Sequence, residues 1–75
     1  MELTEEQQAM IAKKALFIAE KEALVKERKA LLNELEYAES DMEEGLIQEK
    51  RDALAIKIKS LANTIRDIQS WEADT

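Results

Sequence analysis

A chain of 75 residues with seventeen acidic against eleven basic side chains, a formal net charge of −6, and neither cysteine nor histidine is short of chemistry from the outset. Disulfides and thiolate metal sites are excluded, and the commonest metal ligand and the usual base near neutrality are missing. The acidic balance argues against binding to nucleic-acid backbone or to an anionic membrane, and this length supports one small domain with little buried surface.

Leu, Ala, Glu, Lys, Ile and Gln dominate, there is no proline, and Gly45 is the only glycine. These residues form helices or tolerate them, so the fold class expected is all-α. The opening Met1-Glu2-Leu3-Thr4-Glu5-Glu6 is acidic and has no apolar core of the kind a secretory signal carries. No apolar run approaches the length of a membrane span. A cytoplasmic location is therefore the default expectation, with no membrane partner.

Thr4-Glu5-Glu6-Gln7 reads as a capping box, with Glu5 and Glu6 in the first turn where the helix dipole favours negative charge. A helix over residues 5–39 is expected behind it. Met10, Phe17, Leu24, Leu31 and Ala38 recur every seven residues, and Ile11, Ile18, Val25 and Leu32 recur one step later. Two adjacent apolar positions make a broad stripe instead of a narrow seam. Four residues after the first series come Lys14, Lys21, Arg28, Leu35 and Met42, basic at first and apolar toward the next break. Their aliphatic stems can cover the seam while their charges reach water. Ala9, Ala12, Ala15, Leu16, Ala19, Ala23 and Ala30 line the flanking faces, either because alanine is the best helix former or because residues 9–25 contact more than one helix.

The stretch from Ser40 to Gly45 is where the chain either bends or runs straight on. Ser40-Asp41-Met42-Glu43 matches a second capping box, which would start a helix at Asp41. Gly45 could instead take a left-handed position after a longer first helix, with the next beginning near Leu46. Glu34, Glu36, Glu39, Asp41, Glu43, Glu44 and Glu49 form a block with no basic residue among them, crowding that an exposed bend relieves. A bend over residues 40–45 is expected. The alternative is an uninterrupted rod about 100 Å long at the helical rise.

The second helix, expected over residues 46–72, has Ile47, Leu54, Leu61 and Ile68 at one heptad position and Arg51, Ile58 and Ile65 four residues later. Ala55 and Ala62 flank this seam, and Trp71 extends its apolar face toward the end. With arms of unequal length, the first helix would overhang the second unless another chain covered it.

No catalytic constellation emerges. Ser40, Ser60 and Ser70 have no histidine to activate them, and the carboxylates lack the Glu-x-x-His elements of di-iron bundles. One glycine cannot build a phosphate-cradling loop, and no calcium-loop pattern surrounds Asp41. Lys13, Lys14, Lys21, Lys26, Arg28 and Lys29 cluster, but Glu20, Glu22 and Glu27 are interleaved among them in the manner of a solvated helix face. No enzyme activity and no cofactor are expected.

The sequence thus predicts a two-helix antiparallel hairpin that dimerises into a four-helix bundle. Its function would be protein–protein interaction, as a small adaptor, assembly factor or inhibitor. The expected core and interface residues are Met10, Ile11, Phe17, Ile18, Leu24, Val25, Leu31, Leu32 and Leu35 on the first helix. On the second they are Ile47, Leu54, Ile58, Leu61, Ile65, Ile68 and Trp71. Glu36, Glu39, Asp41, Glu43 and Glu44 form an acidic tip suited to a basic protein surface. A structural coiled-coil rod and a small helical nucleic-acid-binding regulator are the alternatives from other classes.

Overall fold

The structure, a computed structural model, describes residues 2–74. It contains three helices, α1 (Glu5–Ala12), α2 (Lys14–Glu36) and α3 (Asp41–Ala73). The capping box that opens α1 forms as its sequence suggests. The Gln7 amide donates to Thr4 Oγ1 at 3.1 Å, and the Thr4 amide donates to Gln7 Oε1 at 2.9 Å.

The single helix expected over residues 5–39 is interrupted at Lys13, whose φ of −96° and ψ of 5° leave the α region. The Lys13 amide reaches back to the Met10 carbonyl at 3.1 Å, a 3₁₀-type closure. The Phe17 amide then bonds to the Lys13 carbonyl at 3.1 Å, starting α2 at once. No glycine or proline lies nearby. The break is accompanied by packing, because α1 touches both α2 and α3. The two-helix hairpin is therefore corrected to an all-α bundle of three helices, each in contact with the other two. The four-helix bundle imagined from two such hairpins falls with it.

Chain direction reverses between α2 and α3. Tyr37 and Ala38 tighten the end of α2 through amide bonds to Glu34 and Leu35 carbonyls at 3.1 and 3.3 Å. Ser40 then caps α3, its Oγ accepting from the Glu43 amide at 3.2 Å. The reciprocal half of the second capping box is displaced by one residue, since Glu43 Oε2 accepts from the Glu39 amide at 3.1 Å. A carboxylate that would repel Glu39 along a continuous helix is thereby turned onto backbone.

Gly45 consequently lies inside α3, and no residue among those described has a positive φ. Of the two placements of the bend, the structure has the one at Ser40, and α3 starts ahead of the residue 46 expected. With 33 residues in α3, its length matches α1 and α2 laid end to end, so the expected overhang disappears. Lys14 Nζ, at the start of α2, meets Glu72 Oε1, near the end of α3, at 2.8 Å, which marks the antiparallel register. The continuous rod is also corrected, because the long axis spans 55 Å.

The result is slender, with cross-section extents of 16 and 15 Å. Its radius of gyration is 16.7 Å, against about 11 Å for a compact domain of this length. Among the described residues only Ile47, Leu54, Ile65 and Ile68 are buried, all on α3, and of these Ile68 alone is fully enclosed. The accessible surface of 5801 Å² exceeds by about 1,100 Å² the roughly 4,700 Å² expected of a folded monomer of this mass.

Candidate interaction surface

The antiparallel register gives the α2–α3 pair two flanks of opposite character. On one flank lie Glu20, Glu27 and Glu34 of α2 and Lys50 and Lys57 of α3, each series repeating every seven residues. Glu34 and Lys50 line one groove there with Asn33, Tyr37, Glu43, Leu46 and Ile47. Acid on one helix and base on the other give this flank a charge-matched, water-facing character.

The other flank is apolar. Ile18, Val25 and Leu32 of α2 follow one another along it and look across to Ile58 and Ile65 of α3. Two shallow grooves run in line. One is lined by Ile18, Val25 and Ile65 with Lys21, Glu22, Lys26 and Gln69; the other by Val25, Leu32 and Ile58 with Arg28, Lys29 and Arg51. Val25 and Leu32 remain 40% and 43% exposed. A third groove continues this flank toward the bend, lined by Leu35, Asp41, Glu44, Gly45 and Gln48. On α3, Glu44, Gln48, Arg51, Ala55 and Ile58 are spaced by four and three residues, so they lie along one helical face.

Charge is unevenly spread on this apolar flank. Its middle carries Lys21, Lys26, Arg28, Lys29 and Arg51 against Glu22, while its bend end carries Asp41 and Glu44. The Nε atoms of Arg28 and Arg51 are shielded from solvent and have no hydrogen-bond partner in the protomer. A buried donor left without an acceptor costs about 1–3 kcal/mol.

The residues singled out from sequence are distributed as follows. Ile47, Leu54, Ile65 and Ile68 are buried. Met10, Ile11, Phe17, Ile18, Leu24, Leu31 and Leu35 are half-buried on α1 and α2. Ile58, Leu61 and Trp71 are half-buried on α3, and Val25 and Leu32 are exposed. The acidic-tip residues Glu36, Glu39, Asp41, Glu43 and Glu44 are all exposed. Leu16, Tyr37, Met42, Leu46 and Ile56, all outside the expected core and interface set, are exposed large apolar residues. Ile56, 72% exposed, sits two residues from both Leu54 and Ile58 and so lies off the seam they share. The pairing of Arg28 with Arg51 across the helices was also missed; it requires the register that Lys14 and Glu72 disclose.

Among the described residues, no cluster of three or more carboxylates is disposed to hold a metal ion. No helix among them is long and apolar enough to cross a membrane. The chain is a small all-helical domain whose outstanding surface is an apolar flank with a charge gradient along it. Compared with descriptions of known protein families, with curated proteins and with solved structures, the chain has no match.

Proposed function

We propose that this chain is a non-enzymatic protein–protein interaction module that acts as a homo-oligomer, a dimer in its simplest form, serving as a small adaptor, assembly factor or inhibitor. The observation that carries this reading is the surface excess. A slender molecule with four buried residues among those described and 5801 Å² of accessible area has a thin core for its length. A standard protein–protein interface removes about 800 Å² from each partner. That is comparable to the excess, so pairing would return the surface to an ordinary value for the mass.

The apolar flank supports the same reading, because Val25 and Leu32 stay partly exposed along it in line with Ile18, Ile58 and Ile65. Sedimentation equilibrium between 1 and 100 µM is the test. The expected result is a weight-average mass that rises with concentration above 8.6 kDa. A mass that stays at the monomer value throughout that range overturns the proposal.

A further inference from the structure

The charge gradient on the apolar flank has a self-complementary form. Its basic section, around Arg28, Lys29 and Arg51, borders its acidic section, Asp41 and Glu44, on the same side of the molecule. Glu44 and Arg51 are seven residues apart on α3, or about 10 Å along the axis. A two-fold axis perpendicular to the helices, placed between the two sections, would lay each copy's acidic section on the other's basic one. Such a contact is isologous and closes at two copies.

We infer that a second copy of this chain docks antiparallel on the apolar flank, with the bend end of each protomer seated over the Arg28–Arg51 groove of the other. The inference rests on the self-association proposed above and adds the orientation and the pairing. Three independent features of the protomer converge on it. Arg28 and Arg51 line one groove together, and Asp41 and Glu44 of a second copy supply carboxylates for their guanidinium groups. Val25, Leu32 and Ile58 line the same groove, so the ion pairs would form beside apolar contact and away from bulk water.

The third feature is Gly45. It sits in the body of α3 with an ordinary helical φ, and a Cβ added there would meet nothing within 4 Å. Glycine costs a helix interior about 1 kcal/mol relative to alanine, and nothing inside the protomer requires it. Lying beside Asp41, Glu44 and Gln48, it leaves a flat place on the docking face where a second backbone can come close. A docked arrangement with the two copies parallel would instead set basic section on basic section and acid on acid.

A charge-swap experiment tests this. One variant carries Arg28→Glu and Arg51→Glu, the other Asp41→Lys and Glu44→Lys. Each alone is expected to self-associate at least tenfold more weakly than the natural chain, since each then sets like charges against one another at the positions that pair. An equimolar mixture is expected to recover association as a mixed dimer, seen by sedimentation velocity with one variant fluorescently labelled. If the natural chain is monomeric throughout, both this inference and the proposed function fail. If it self-associates but the variants match it, or if both weaken and the mixture does not recover, the pairing fails while self-association stands. Should a variant lose its helical circular dichroism, a second measurement replaces it. The chain has no cysteine, so Lys29→Cys and Glu44→Cys chains mixed under mild oxidation should form a mixed disulfide dimer. A Leu16→Cys chain, placed toward the far end, should not form one with Glu44→Cys. Equal yields from the two mixtures overturn the inference.

Discussion

Ile68→Ala and Ile56→Ala make the same chemical change on the same helix and should have very different consequences. Ile68 is wholly enclosed, whereas Ile56 is 72% exposed. Truncating an enclosed isoleucine removes buried apolar atoms and leaves a cavity, at about 2–5 kcal/mol. The bundle is thin and its neighbours can settle inward, so the lower half of that range is expected. A 75-residue domain has only about 4–11 kcal/mol of total stability at typical values per residue. Ile68→Ala should therefore remove a large share of it. Ile56→Ala should lie within about 0.5 kcal/mol of the natural chain, its small loss of contact offset by alanine's better helix propensity. Urea unfolding reads both, followed by far-ultraviolet circular dichroism and by Trp71 fluorescence at matched low protein concentration. At a slope near 1 kcal/mol per molar urea, Ile68→Ala should lower the midpoint by about 2 M, while Ile56→Ala should barely move it. Equal shifts, or a loss at Ile68 below about 1 kcal/mol, would refute the assignment of the inward face of α3.

Two further outcomes probe the bend. Gly45→Ala should raise monomer stability by up to about 1 kcal/mol, read from urea unfolding under dilute conditions, because Gly45 is helical and a Cβ there is unopposed; a loss of that size would instead mean a left-handed glycine. Ser40→Ala should cost about 1 kcal/mol by removing the Oγ acceptor of the Glu43 amide, and an unchanged unfolding midpoint would show that Glu43's own bond to Glu39 suffices to start α3.

The helical class was legible because the chain offers few breakers and repeats its apolar residues at heptad spacing. The start of α1 was legible for a local reason, since Thr4 and Gln7 satisfy each other's backbone within a single turn. The interruption at Lys13 was not, because no local signal marks it and the contacts that accompany it come from α3. The extent of α3 was misjudged through Gly45. Glycine permits a left-handed cap but does not demand one, and Ser40 offered the competing start that the structure adopts. For the interaction surface, sequence revealed two adjacent apolar series on α2 but not which one faces α3. Leu24 and Leu31 are half-buried while Val25 and Leu32 stay exposed, a division that depends on where α3 lies against the stripe. The single-signed acidic block was plain from sequence. Its nearness to Arg28 and Arg51 on one flank was not, since that depends on a register fixed across the whole length of the bundle.

The break at Lys13 also sets an order in which the molecule comes apart. α1 has eight residues, fewer than an isolated helix needs to persist in water, and a single 3₁₀-type turn separates it from α2. It holds its shape by lying on α2 and α3, so its amides should exchange with solvent through an opening that leaves the rest of the bundle folded. Protection factors should therefore step up sharply between Ala12 and Phe17. A segment able to lift away without unfolding its support is a natural place for the chain to adjust its end surface. α2 and α3 meanwhile keep the long flank in register.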